Sequence, residues 1–195
     1  STGEESTPTW RLIAKQEDSS QQLFSSNARS TFLENSDDPS KSTFMSIGNL
    51  NSEDYSDSEG KYKFKLVWGG YQVDSSGINK EVQWTQTSWL TSPTITGFEE
   101  IGSSGFSHSC SSTNKHSGFC GLGKSDSSSC IIDGNGGYEW WFNCVGALGR
   151  WNNAIPGPIE KTASSANLYI WLSTTLPSFI LDQPSGLLKL SGSGI

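Results

Sequence analysis

Alternation of apolar and polar residues is the main structural signal in this chain, and it predicts β-strands. Residues 61–68 alternate strictly between apolar side chains and lysines, so we expect a half-buried antiparallel strand whose lysines point to solvent. In the first apolar segment the same period of two places Trp10, Leu12 and Ala14 on one face. The predicted strands are residues 9–15, 61–68, 81–89, 94–101 and 168–172.

These segments, separated by turns rich in glycine and serine, predict an all-β fold. We expect an antiparallel β-sandwich, jelly-roll-like, with a long disulfide-stapled loop and little helix. A short helix is expected only within residues 22–34, where apolar positions fall partly on a helical period. The expected organisation is a flexible N-terminus (1–8), a sandwich recognition domain (9–173) and a C-terminal tail (174–195) that either packs back as a strand or docks on a partner.

Composition narrows the classes of function. Of the 195 residues 33% are hydrophobic, 17% charged and 11% aromatic, and the net charge is −7. The acidic balance argues against a nucleic-acid binder, because contact with phosphate needs a basic face. No apolar run approaches the roughly 18 residues of a membrane span, and the aromatic content is too high for a disordered chain. The sequence starts at Ser1 rather than at methionine, as we expect of a processed secreted protein.

The negative charge is concentrated in the first 60 residues, which hold 11 acidic and 4 basic side chains. Two acidic loops there, around residues 35–38 and 53–59, have either of two interpretations. They are a solvated surface, or they bind Ca²⁺ weakly, because hard cations prefer clustered oxygen ligands. Neither loop has the spacing of an EF-hand. The candidate calcium ligands are Asp37, Asp38, Asp54 and Asp57.

All four cysteines lie within one segment of 35 residues and are surrounded by serine and glycine. Such a set indicates a local disulfide staple formed in an oxidising compartment. A zinc site that also uses His108 and His116 is the alternative, but the gaps between the cysteines are longer than the usual ligand pairs. We expect the pairs Cys110–Cys120 and Cys130–Cys144, which close the shortest loops, although the sequence allows the two other pairings.

The sequence offers little for catalysis, and we assign no catalytic residue. The chain has two histidines, His108 and His116, both in the cysteine-rich loop, where exposed loop positions explain them. Glu99 and Glu100 are adjacent on a predicted strand, so their side chains point to opposite faces and cannot act on one glycosidic bond. We therefore expect a protein that is not an enzyme and has no resident cofactor, with calcium as the candidate ion.

A segment dense in tryptophan, after the cysteine-rich loop, is the best candidate for ligand binding. Aromatic rings beside amides and a carboxylate suit sugars, which present apolar C–H faces and hydroxyl edges. The alternative is that the adjacent Trp140 and Trp141 are both buried between sheet and loop. The candidate ligand-binding residues are Tyr138, Glu139, Trp140, Trp141, Asn143, Trp151, Asn152 and Asn153.

Three stretches carry a resemblance to known domains: Trp10-Arg11-Leu12-Ile13-Ala14-Lys15-Gln16 with Leu23-Phe24-Ser25, then Asp38-Pro39 with Gly60-Lys61-Tyr62-Lys63-Phe64-Lys65-Leu66, then Val145-Gly146-Ala147 with Ile155-Pro156-Gly157-Pro158. Over residues 9–173 this arrangement resembles a poorly characterised group of secreted domains of marine invertebrates and protists. In order and composition it is also similar to fibrinogen-related and intelectin-type lectin domains. The resemblance implies an extracellular recognition or matrix domain, often sugar-binding and sometimes Ca²⁺-assisted. The chain lacks the early cysteine pairing of those lectins, so no functional residue is transferred from them.

The sequence thus favours a secreted recognition domain that binds a glycan or glycoprotein through aromatic and amide side chains. The first alternative is a structural or assembly subunit of an extracellular matrix, filament or larger complex that self-associates through its C-terminal tail. The second alternative is an enzyme or toxin. Nucleic acid and a membrane span are not expected.

Overall fold

The computed structural model describes residues 9–20, 32–77, 80–92, 96–101, 132–133, 144–145, 154–158 and 161–172. These ranges contain ten strands, one α-helix, α1 (Tyr71–Asp74), and two 3-10 helices, Ile47–Asn49 and Ser52–Asp54. The strands are β1 (Trp10–Gln16), β2 (Thr43–Met45), β3 (Tyr62–Gly69), β4 (Glu81–Gln86), β5 (Glu99–Glu100), β6 (Ile132–Asp133), β7 (Cys144–Val145), β8 (Ile155–Pro156), β9 (Thr162–Ala163) and β10 (Ser165–Trp171). The predicted all-β class with little helix is confirmed.

Six strands form one antiparallel sheet in the order β2-β1-β10-β3-β4-β5. The first and last described long strands, β1 and β10, are neighbours near its centre. The strands at its two edges have only three and two residues, and they pair with only part of their neighbours β1 and β4. Two further ladders, β6-β7 and β8-β9, have two strands each.

The core lies on one face of the six-stranded sheet, which we call the inner face. In β3 the alternation places Phe64, Leu66 and Trp68 there, all fully buried or nearly so, because every second side chain of a strand points to the same side. In β10, Leu168 pairs directly with Leu66 and is also fully buried. The predicted alternation of apolar residues in β3 is confirmed, and the predicted closing strand is present as β10.

Short segments cover the inner face within the described ranges. They include α1, β8 and the turns after β2 and β4, and they contribute Val73, Ile155, Ile47 and Leu90 to the core cluster. A strand of the second ladder, β7, lies near β1 and β10. The second large sheet that a sandwich needs is not among these segments, so the sandwich stays a prediction.

A β-bulge in β1 makes one prediction wrong. Trp10, Leu12 and Ala14 were expected on one face, but the register shifts between Leu12 and Ala14. Leu12 therefore lies opposite Tyr169, and Ala14 lies opposite the buried Leu168. The bulge inserts one extra residue, so the first half of β1 presents Trp10 and Leu12 on the outer face, while Ala14 points into the core.

Several predictions fall outside the described residues. These are the flexible N-terminus (1–8), most of the predicted helix (22–34), most of the cysteine-rich loop and all of the tail (174–195). In the described part of the strand expected at residues 94–101, the strand is Glu99–Glu100. In the ranges that are described, no helix has the length and apolar character needed to cross a membrane.

Candidate functional site: an aromatic and lysine surface

The sequence-predicted ligand residues cannot be placed. Residues 138–143 and 151–153 lie outside the described ranges, and so do three of the four cysteines. Cys144 is described only through its backbone, which pairs with Asp133 in the β6-β7 ladder. The glycan residues and the disulfide pairing therefore stay predictions.

The four candidate calcium ligands are described, and three of them accept local hydrogen bonds. Asp54 accepts one from Asn51 Nδ2 at 3.4 Å. Asp38 accepts hydrogen bonds from the Ser40 backbone N–H at 3.0 Å and from its hydroxyl, and these bonds hold the pKa of Asp38 below its ordinary value. Asp57 accepts from the backbone N–H groups of Glu59 and Lys61, at 2.9 and 2.8 Å. These are turn-stabilising contacts. No group of three or more His, Cys, Asp or Glu side chains that could hold a metal ion occurs among the described residues, including Asp37 and Asp54.

The structure instead brings together a set of aromatic and lysine side chains on the outer face of the sheet. Strand pairing builds this set, because residues directly opposite each other in antiparallel strands point to the same side. Trp10 in β1 pairs with Trp171 in β10, and Tyr169 in β10 pairs with Lys65 in β3. Lys63 lies two residues before Lys65 and so shares its face. We call these five side chains the aromatic–lysine surface: Trp10, Lys63, Lys65, Tyr169 and Trp171.

The members of this surface are in direct contact. The rings of Trp10 and Trp171 meet edge to face, with centroids 5.0 Å apart and planes at 73°. Lys63 Nζ lies 4.6 Å from the ring centre of Trp171 and 5.5 Å from that of Trp10. Lys65 Nζ lies 4.7 Å from Trp10 and 5.1 Å from Tyr169. Both ammonium groups are thus within the roughly 6 Å at which a cation is attracted to an aromatic ring.

The lysines of β3 were predicted to point into solvent, and this is only half right. They do point away from the core, but Lys63 and Lys65 are half-buried, like the rings they contact. The reason is the position of β3 beside β10, whose outer side chains are the large rings of Tyr169 and Trp171. The hydrocarbon part of each lysine covers apolar ring surface while its ammonium group stays near water.

Charge is unevenly distributed along the outer face. At the Trp10–Trp171 end lie the two ammonium groups. At the other end Glu81 pairs with Val67 and accepts a hydrogen bond from Gln83 Nε2 at 2.6 Å. Burial, then the nearby carboxylates of Glu17 and Glu81, raise the pKa of the Tyr169 hydroxyl. Lys15 lies in the same row as Glu81, and its Nζ is 3.6 Å from the Glu17 carboxylate. The surface is therefore positive beside the tryptophans, and charges of both signs lie beyond the tyrosine.

Most other aromatic side chains in the described ranges lie in the core or pack against it. Trp89 lies near Tyr55, Tyr62 and Phe64, with centroids 5.0 to 6.4 Å apart. Tyr55 and Phe64 are buried in the core cluster, and Trp89 and Tyr62 pack against it. The outer surface is thus a second aromatic group, separated from the core group by the thickness of the sheet.

Sequence reasoning missed this surface although one signal for it was present. Residues 168–172 form a continuous apolar run rather than an alternating one. Such a run is typical of a strand with apolar side chains on both faces. It predicts large side chains opposite the core at Tyr169 and Trp171. What it cannot predict is that Trp10 and two lysines of β3 lie beside them.

Comparisons with known proteins do not assign a family or a function to the chain. Searches with protein-family models, among curated proteins and among solved structures found no match. The resemblance to secreted domains and lectins stays an expectation, and the function is inferred from the residues themselves.

Proposed function

We propose that this protein is an extracellular recognition domain that binds glycan on the aromatic–lysine surface. The observation that carries the proposal is the close grouping of three half-buried rings and two ammonium groups on the face opposite the core. The solvated face of an antiparallel strand ordinarily carries polar side chains. Large rings on such a face keep apolar area near water, which indicates a binding surface.

The chemistry of the surface suits a sugar. The apolar C–H face of a pyranose packs on an indole or phenol ring, as apolar groups do in ligand sites. Each ammonium group has three N–H donors, and the Tyr169 hydroxyl can both donate and accept. Sugar hydroxyls accept and donate hydrogen bonds of the same kind. Rings that hold the sugar face and donors that fix its orientation are therefore present in one place.

The assembly alternative has less support within the described ranges. Strand addition needs an exposed sheet edge with several unpaired backbone groups. The edge strands β2 and β5 have three and two residues and pair with only part of β1 and β4, so the edges by themselves do not exclude strand addition. The tail that was expected to dock on a neighbour lies outside the described residues.

A glycan array with wild type and a Trp10→Ala/Trp171→Ala variant tests the proposal. We expect the wild type to bind a defined set of sugars and the double variant to lose most of this signal, because each stacked ring contributes on the order of 1 kcal/mol. Tyr71→Ala is the matched control, since Tyr71 is an aromatic residue that is 84% exposed and lies on α1. It should bind as the wild type does.

Circular dichroism and thermal unfolding establish first that the double variant is folded. Trp10 and Trp171 are half-buried and lie outside the core cluster, so we expect a native spectrum. A silent array with folded wild type contradicts the proposal. So does a double variant that is folded and binds as strongly as the wild type. Concentration-dependent polymers without array binding would favour the assembly alternative instead.

A further inference from the structure

We propose that the glycan bound by the aromatic–lysine surface is acidic, with its carboxylate or sulfate facing Lys63 and Lys65 while its sugar ring contacts Trp10 and Trp171. This inference rests on the proposed function, because it names the class of glycan for the same site. It is a statement about charge, whereas the proposed function is a statement about sugar binding, and the two can fail separately.

The two lysines are set apart from most described lysines by their partners. Four others each have a carboxylate oxygen within 4.0 Å: Lys15, Lys41, Lys61 and Lys80. Within the described ranges, Lys63 and Lys65 have no carboxylate at that distance and lie over aromatic rings instead. The chain has a net charge of −7 and therefore many carboxylates. Two half-buried ammonium groups with no carboxylate oxygen at that distance, among the described residues, distinguish this surface from the rest of the described chain.

Aromatic contact explains how these charges are kept without a counter-ion. The face of an indole is the negative part of its quadrupole and attracts a cation. It does not neutralise the positive charge, so the ammonium groups can still attract an anion. Both Nζ atoms lie within 5.5 Å of the Trp10 ring centre, so their fields overlap beside that ring. A carboxylate or sulfate placed there faces two positive charges at once.

The opposite end of the outer face carries charges of both signs. Glu81 lies in the row of Val67, one row beyond that of Lys65. Lys15 lies in the same row, opposite Asn167, and its Nζ is 3.6 Å from the Glu17 carboxylate. The carboxylate or sulfate of the ligand is therefore attracted most strongly at the Trp10–Trp171 end, where the two ammonium groups lie over aromatic rings.

Matched probes that differ only in charge test the inference by titration calorimetry. One pair is a galacturonic acid oligomer and its methyl ester, and the other is dextran sulfate and dextran. We expect an acidic probe to bind about tenfold more tightly than its neutral counterpart at low salt, since each exposed ion pair contributes a few-fold. The preference should shrink at about 0.5 M salt, where exposed charges are largely screened.

A Lys63→Gln/Lys65→Gln variant should bind the acidic and neutral members of a pair equally, and about tenfold more weakly than wild type for the acidic one. Lys41→Gln/Lys80→Gln is the matched control. It removes the same charge from two exposed lysines on other parts of the chain, so it should keep the preference. Polyglutamate, a polyanion without sugar rings, should bind far more weakly than the acidic glycans.

Each outcome has a distinct meaning. Equal wild-type affinity for acidic and neutral probes overturns this inference and leaves the proposed function standing. Tight binding of polyglutamate overturns it as well, because the surface would then be a general polyanion site. Loss of the preference in the control variant also overturns it, since bulk charge would then be the cause. Binding of no sugar probe, in a wild type silent on the array, overturns the proposed function too.

Discussion

The hydrogen bonds between Trp84, Gln86 and Ser88 allow a sharp test of how polar groups stabilise this core. Trp84 and Gln86 are fully buried in β4. The indole Nε1–H of Trp84 donates to Gln86 Oε1 at 2.8 Å, and Gln86 Nε2 donates to the Ser88 carbonyl at 2.8 Å. Gln86→Leu removes both hydrogen bonds and replaces the amide by an apolar group of similar size.

The expected cost follows from these two bonds. A buried group that loses its partner costs about 1–3 kcal/mol, and two groups lose theirs. The apolar carbons of leucine recover about 1 kcal/mol, so Gln86→Leu should lower the free energy of unfolding by about 1–5 kcal/mol. In a Trp84→Phe background the indole donor is already gone, and the same substitution should cost about 1 kcal/mol less.

Urea unfolding followed by far-UV circular dichroism measures all four proteins of this double-mutant cycle without depending on tryptophan fluorescence. Gln83→Leu is the control, because Gln83 is the same residue type in the same strand but half-buried on the outer face. It removes one part-buried hydrogen bond, to Glu81 Oε1, so it should cost about 1 kcal/mol and less than Gln86→Leu. Equal costs of Gln86→Leu in both backgrounds would refute the reasoning, and so would an equally costly Gln83→Leu.

Three further predictions follow from single positions. Leu168→Ala should lower the free energy of unfolding by about 2–5 kcal/mol in urea titrations, because this side chain is fully buried at the centre of the sheet; a change below about 1 kcal/mol would contradict the described core. The pKa of Tyr169 is raised above its ordinary value of 10.0. The stability that the neutral phenol contributes is therefore fully present below pH 10 and is lost as the pH rises through the pKa of the folded state. Glu81→Gln should lower the pKa of Tyr169 only part of the way towards its ordinary value, because burial is the larger cause of the shift. Absorbance at 295 nm, compared with that of a Tyr169→Phe variant, measures this pKa. An unchanged titration refutes the electrostatic contribution of Glu81. Gly70→Ala should cost about 2 kcal/mol or more in thermal unfolding, because φ is +120° and a Cβ would lie 2.7 Å from the Ser164 nitrogen; a neutral effect contradicts this backbone geometry.

Much of the fold could be predicted from local pattern. In β3 the alternation of Phe64 and Leu66 with Lys63 and Lys65 specified a strand with one buried face, because the period of two is a property of the strand itself. The pattern also excluded long helices. The short helix α1 was not predicted, because four residues are too few to show a helical period.

The candidate site was predicted far less well. The sequence directed attention to the adjacent Trp140 and Trp141, which lie outside the described residues. It assigned Trp10 to the face of Ala14, and only the bulge after Leu12 reverses that. A bulge depends on how β1 pairs with β10, and the sequence of β1 alone does not predict it.

The sequence by itself determined that the chain forms antiparallel strands, that β3 buries its aromatic side, and that β10 carries large apolar side chains on both faces. The tertiary structure decided which strands are neighbours. Trp10 and Trp171 come from opposite ends of the described chain and meet only because β1 pairs with β10. The physical reason is that periodicity is local, whereas strand pairing depends on the free energy of the whole packed sheet. The aromatic–lysine surface exists only through that pairing.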